Sequence, residues 1–145
     1  MPYLADTNIL LRWVTPADPQ HSQAVNSVKE LQRRGEIVHI TPQNLIEFWG
    51  VATRPAAANG LGMSPAEAEK QVESLELLFP LVPDTPDVYK EWRKLVSAAG
   101  VSGVKVHDAR LAAVAIAHGL THVLTFNAAD FKRFVGVTAV CPEDV

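Results

Sequence analysis

Apolar residues follow two spacings along this chain: short runs typical of buried strands, and helical spacings that bury one face of a helix. The short runs predict strands at residues 3–5, 37–40, 122–125 and 137–140, with a brief further candidate at 81–82. The helical spacings predict helices at about residues 8–14, 20–34, 42–54, 65–78, 88–99 and 109–117. This alternation predicts an α/β fold of three layers, α/β/α, around a central and mostly parallel sheet.

Local signals mark where several of these helices begin and end. Ser64 to Glu67 form a capping box with proline at the first helical position, and Thr41-Pro42 repeats the combination of cap and proline. Gly100 is placed to end the helix that starts near Thr85. Residues 56–62 are mostly small, and we expect them to form a mobile lid or an ordinary connection.

The composition fits one globular domain over residues 1–145, with 48% hydrophobic and 20% charged residues. The single cysteine, Cys141, has no internal disulfide partner, so we expect a reducing compartment, the cytoplasm. We find no leader-like segment and no uncharged apolar run of ~18 residues, so we expect no membrane association. A net charge of −3 argues against a strongly basic coat, although a basic rim around an acidic centre would fit it.

Carboxylates lie at four places where the chain is predicted to pass from strand to helix: Asp6, Glu47, Asp108 and Asp130. In a parallel sheet such turns meet at one edge and would form an acidic pocket. Carboxylates about 4 Å apart repel by roughly 4 kcal/mol, so they must protonate, separate or bind a cation. Oxygen-only ligands favour Mg²⁺ or Mn²⁺ over zinc. Because such an ion holds phosphate and activates water, we expect phosphodiester hydrolysis.

Each of these carboxylates also has a purely structural interpretation. Asp6 and Asp108 fit helix caps, Glu47 fits a solvated helix residue, and Asp130 fits the cap of a short turn. His107 fits either proton transfer or an exposed position without a catalytic role.

Motifs that span nearly the whole chain carry a more specific signal. They are Leu4-Ala5-Asp6-Thr7-Asn8, Glu47-Phe48-Trp49, Val51-Ala52-Thr53-Arg54, His107-Asp108-Ala109 through Ala112-Ala113, Leu124-Thr125-Phe126-Asn127 and Asp130-Phe131. Together they resemble PIN-domain ribonucleases, and more closely the VapC-type toxins of bacterial toxin–antitoxin pairs. The resemblance implies a PIN-like fold and a Mg²⁺-dependent endoribonuclease, with Mn²⁺ as a substitute, that leaves a 5′-phosphate and a 3′-hydroxyl.

The resemblance also implies roles for individual residues. Asp6 and Asp108 would ligate the metal ion directly or through water, and Glu47 would orient or deprotonate the attacking water. Thr7 and Asn8 would support these ligands.

On the same basis, Thr125 would position water or phosphate, and Asn127 to Asp130 would supply a fourth polar contribution. Many relatives carry an aspartate where this chain has Asn127. A second metal site is therefore expected to be weak or absent unless Asp130 turns inward.

Three arginines, Arg12, Arg54 and Arg110, are candidate contacts for RNA phosphates or else solvated surface charges. The resemblance further implies a homodimer and a small VapB-like antitoxin with an apolar segment that enters the acidic cleft. The helix around Trp49 and the helix that starts at Ser64 offer apolar surface for such contacts.

Other functions stay open. The chain fits a degenerate module that binds RNA or protein without cleavage, because Asn127 weakens the metal site. It also fits a housekeeping RNA-processing nuclease. An aspartyl-phosphate phosphatase with Asp6 as nucleophile is disfavoured, because Asn8 stands where a second acid is needed.

Overall fold

The computed structural model describes residues 1–145. The strands are β1 (Tyr3–Ala5), β2 (Val38–His39), β3 (His122–Leu124) and β4 (Thr138–Val140). The α-helices are α1 (Thr7–Trp13), α2 (His21–Arg33), α3 (Pro42–Thr53), α4 (Pro65–Leu78), α5 (Pro86–Ala99) and α6 (Val106–Ala117). Short 3-10 turns cover Ala56–Ala58, Gly103–Lys105, Ala128–Phe131 and Pro142–Asp144.

All strands pair in parallel, in the order β2-β1-β3-β4. Successive residues of β1 point to opposite faces of the sheet: Tyr3 and Ala5 join a core with α1 to α4, whereas Leu4 joins a second core with α5 and α6. The two helical layers therefore cover both faces, which confirms the predicted three-layer α/β/α fold. None of the helices combines the length and the apolar character needed to cross a membrane.

One predicted junction and one predicted strand differ from the structure. Helix α6 begins at Val106 and is reached from α5 through the 3-10 turn at Gly103–Lys105, so no strand precedes Asp108. Asp108 lies in the first turn of α6 and does not cap it. The candidate strand at 81–82 contributes only one bridge, between Leu81 and Ile40.

The small-residue segment after α3 folds back onto the end of that helix. Leu61 donates a backbone hydrogen bond to Val51, and Met63 donates one to Ala52. Gly60 passes so close to Arg54 that a Cβ atom would lie 1.9 Å from the Arg54 carbonyl oxygen. These contacts hold the segment against α3 and favour an ordinary connection over a mobile lid.

Candidate functional site

Asp6 and Thr125 are the first residues after two neighbouring strands. Ala5 of β1 pairs with Leu124 of β3, so the next residue of each strand leaves the sheet at the same edge. The Thr125 hydroxyl donates a 2.8 Å hydrogen bond to Asp6 Oδ2. The parallel register thus fixes the Asp6 carboxylate at the carboxyl edge of the sheet, where ligand sites of α/β folds lie.

The start of α1 holds the same carboxylate from the other side. The Thr7 backbone N–H donates to Asp6 Oδ1 at 2.7 Å, and Asn8 Nδ2 lies 3.3 Å from Oδ2. Asp6 is therefore the N-cap of α1, and its side chain is buried. The predicted supporting residues Thr7, Asn8 and Thr125 all contact Asp6, so capping and a polar site coexist here.

Sequence analysis missed Asn44, a buried residue that joins α1 to α3. Its Nδ2 donates to Thr7 Oγ1 at 3.2 Å, while its Oδ1 accepts the Thr41 backbone N–H at 2.8 Å. Asn44 stands three residues after the Thr41 cap, a position from which a side chain can reach back to the helix start. That spacing was the sequence signal that could have identified it.

Glu47 lies in the second turn of α3 and is half-buried. Its Oε1 accepts a 2.7 Å hydrogen bond from Gln43 Nε2. Sequence analysis did not identify Gln43 either, although residues four apart share one helix face.

A lysine joins the remaining carboxylates. Lys105 Nζ lies 3.0 Å from Asp130 Oδ1 and 3.9 Å from Asp108 Oδ2. The Asn127 side chain is exposed, and its backbone N–H donates to Thr125 Oγ1 at 2.9 Å. Asp130 is therefore the acidic residue of the 127–130 segment that is held beside Asp108.

The carboxylates influence one another's protonation. Burial, with smaller contributions from the charges of Asp108 and Glu47, raises the pKa of Asp6 to about 6 against the opposing hydrogen bonds from Thr125 and Thr7. Burial also raises the pKa of Glu47 and that of Asp108, and each has a neighbouring carboxylate that adds to the shift. The structure thus brings Asp6, Glu47 and Asp108 around one region, with Asp130 at its border.

The candidate arginines are placed differently from one another. Arg12 Nε donates to Gln20 Oε1 at 3.2 Å, and its guanidinium lies 6.0 Å from the Phe126 ring centroid. Arg110 is likewise engaged, by side chains of α3 and of the turn before α5. Arg54 is exposed just beyond the carboxyl end of α3, about 10 Å along the helix axis from Glu47. Two of the three therefore have internal partners, and the third lies away from the carboxylates.

As the side chains stand, no group of three or more histidine, cysteine, aspartate or glutamate residues is close enough to hold a metal ion. The available donors are carboxylate oxygens, which hard cations prefer as ligands. Burial and the neighbouring negative charges disfavour the ionised form of Asp6, and a bound cation would offset that cost. Mg²⁺ keeps several waters and is bound through one or two carboxylates. Asp6 and Asp108 carry oxygen donors of the kind that such an ion binds.

Comparison with known proteins identifies a family and a fold. A model of the PIN domain family matches residues 3–137. No curated protein matches the sequence significantly.

Solved structures match over nearly the whole chain. The match in the crystal structure of VapBC2 from Rickettsia felis, bound to a promoter DNA fragment, has a TM-score of 0.73 and 17% identity, and covers 97% of this chain and 98% of that chain. The match in FitAcB from Neisseria gonorrhoeae has a TM-score of 0.70 and 22% identity, with 99% of each chain covered. The match in VapC20 from Mycobacterium tuberculosis, a Sarcin-Ricin loop cleaving toxin, has a TM-score of 0.65 and 19% identity, and covers 94% of this chain and 98% of that chain. At these identities the likeness shows a shared fold.

Proposed function

This chain belongs to the PIN domain family, and from that premise we propose that it is a metal-dependent endoribonuclease, the toxin of a toxin–antitoxin pair. We further propose that residues 1–145 form a single PIN domain that acts in the cytoplasm. The observation that carries the proposal is the buried Asp6 carboxylate, fixed by Thr125 and raised in pKa to about 6 beside Glu47 and Asp108.

Asp6 and Asp108 would hold the metal ion. This ion is Mg²⁺, and Mn²⁺ would substitute for it. When bound, the ion supplies positive charge that neutralises the carboxylates, polarises the phosphate and activates water. Thr125, Thr7 and Asn8 keep the Asp6 carboxylate in one orientation through their hydrogen bonds.

Glu47 is the proposed general base. It is half-buried, and its raised pKa brings it closer to the working pH, where general bases are most effective. It would take a proton from the attacking water as the water oxygen bonds to phosphorus. The bond from phosphorus to the 3′ oxygen breaks, and that oxygen takes up a proton, which leaves a 5′-phosphate and a 3′-hydroxyl.

Asp130 and Asn127 would supply the fourth polar contribution. Asp130 stands beside Asp108 and brings its negative charge to the border of the site. Asn127 is neutral and exposed, so we propose one firmly held metal ion and not two.

A VapB-like antitoxin and a second copy of the chain are the proposed protein partners. An open apolar groove of about 420 Å³ lies between α3 and α4, and Ile46 and Trp49 are among its lining residues. Ile46 is 72% exposed although its side chain is large and apolar. The groove supports docking of an apolar antitoxin segment. RNA remains the proposed substrate, although Arg12 and Arg110 already have internal partners.

The test is cleavage of a panel of RNAs by Asp6→Asn, with exposed Asp87→Asn on α5 as the matched control. We expect Asp6→Asn to lose Mg²⁺-dependent cleavage while its circular dichroism spectrum stays that of the wild type. Asp87→Asn should cleave normally. Cleavage by Asp6→Asn at the wild-type rate would overturn the proposal.

One observation favours a second candidate, a PIN module that binds RNA without efficient cleavage. Lys105 already neutralises Asp108 and Asp130 in part, and Asn127 carries no charge. Retained RNA binding without metal-dependent turnover would support that alternative. Expression without growth arrest would instead point to a housekeeping nuclease.

A further inference from the structure

We propose that Gln43 is a positioning residue for Glu47, and that Arg110 and Asp84 in turn hold Gln43. The inference rests on the proposed function, because it assigns Gln43 a role through the proposed general base. The side chains of Gln43, Arg110 and Asp84 are joined in a row and form a clamp.

Every polar atom of the Gln43 side chain has a partner. Its Nε2 donates to Glu47 Oε1 at 2.7 Å and to the His107 carbonyl oxygen at 2.9 Å, and its Oε1 accepts from Arg110 Nη1 at 2.7 Å. The side chain is only 7% exposed. Because burying an unpaired amide is costly, this complete set of bonds favours one conformation of Gln43.

The chemistry of the partners also fixes which way the amide faces. Arginine carries donors only, so the atom facing Arg110 must be the amide oxygen. The amide nitrogen then faces Glu47 and the His107 carbonyl, which are both acceptors. A flipped amide would place acceptor against acceptor and donor against donor.

Asp84 extends the clamp beyond the two helices. Arg110 Nη2 lies 3.1 Å from Asp84 Oδ1, in the turn that precedes α5. The guanidinium is therefore held from two sides, by Gln43 and by Asp84. Arg110 thus has two partners within the protein.

The clamp would matter because Glu47 is otherwise free to move. A half-buried glutamate has several staggered rotamers, and a general base must lie within hydrogen-bond reach of its proton. The bond from Gln43 occupies Oε1 and leaves Oε2 for that proton. Groups that orient a carboxylate in this way are typically worth 10- to 100-fold in activity.

The experiment compares Gln43→Met with the wild type in RNA cleavage and in crystal structures. Methionine keeps the length of the side chain and removes its hydrogen bonds. We expect kcat to fall roughly 10- to 100-fold with KM within about twofold of wild type. Gln32→Met, an exposed change on α2, is the matched control and should leave both constants unchanged.

Two further measurements separate positioning from a simple tie between α3 and α6. Added to Glu47→Ala, Gln43→Met should lower the residual rate no further, since both changes act on one group. Gln43→Glu keeps the bond to Arg110 but withdraws the donor from Glu47, and should also lower kcat.

Wild-type kcat in Gln43→Met, or fully additive losses in the double variant, would overturn the inference. So would a crystal structure of Gln43→Met with the Glu47 carboxylate unmoved. A wild type that cleaves no RNA overturns the proposed function instead, and the Glu47 position in the two crystal structures still decides this inference.

Discussion

Thr125 donates a 2.8 Å hydrogen bond to Asp6 across a sequence separation of 119 residues. The bond exists because β1 and β3 are neighbours in the sheet and end in register. It fixes one oxygen of the most buried carboxylate of the site, while the start of α1 fixes the other. The effect of this bond on function can be isolated with variants of nearly equal size.

Thr125→Val should lower metal-dependent cleavage roughly 10- to 100-fold, because valine keeps the buried volume but removes the hydroxyl from Asp6. Thr125→Ser, which retains the donor, should recover most of the activity. Thr138→Val, at an exposed threonine on β4, serves as the control and should leave the activity unchanged. Equal rates for the valine and serine variants would contradict a role for this hydrogen bond.

The metal-free protein should lose stability as pH rises from about 4 to about 6. The pKa of Asp6 is raised from 3.8 to about 6, so the folded state binds more protons than the unfolded state in this window. The contribution of Asp6 is fully present below pH 3.8 and is lost as pH passes its folded pKa. The loss attributable to Asp6 is about 3 kcal/mol.

Urea unfolding in the presence of a chelator would measure this dependence. In the Asp6→Asn variant, the free energy of unfolding should change less between about pH 4 and pH 6, because the titrating group is gone. Added Mg²⁺ at pH 7.5 should raise the urea midpoint of the wild type more than that of Asp6→Asn. A wild type whose stability increases from pH 4 to 6 would show that another group dominates.

Lys105→Met should strengthen Mn²⁺ binding by about two- to fivefold. The ammonium group lies near both Asp108 and Asp130, so its removal makes the site more negative, by an amount typical of partly exposed ion pairs. Calorimetry would measure the affinity, with exposed Lys90→Met as control. Weaker binding by Lys105→Met would mean that the lysine organises the carboxylates more than it competes with the cation.

Two glycines near the end of α3 should respond in opposite ways to alanine. Gly60→Ala places a Cβ atom 1.9 Å from a carbonyl oxygen and should cost about 1–3 kcal/mol of unfolding free energy. Gly50 lies inside the helix with open space around it, so Gly50→Ala should add roughly 0.5–1 kcal/mol. Denaturant unfolding tests both, and a stabilised Gly60→Ala would show that the connection can move aside.

Sequence analysis predicted most elements to within one or two residues where local signals were strong. The helix that begins after Ser64 is an example, because its cap and its proline act within one turn. The junction at Asp108 was predicted less well, since a 3-10 turn stands where a strand was expected. Val104, in that turn, is 79% exposed, and single-sequence spacing does not separate such a helix start from a strand end.

The amino-acid sequence alone determined which residues are acidic, where helices start, and which family the motifs resemble. These features depend on residue identity and on contacts within one turn of a helix. Only the tertiary structure decided that Thr125 holds Asp6, that Lys105 reaches Asp130, and that Gln43 meets Arg110. Those contacts join distant segments, and they form only when strand order and register bring their backbones together.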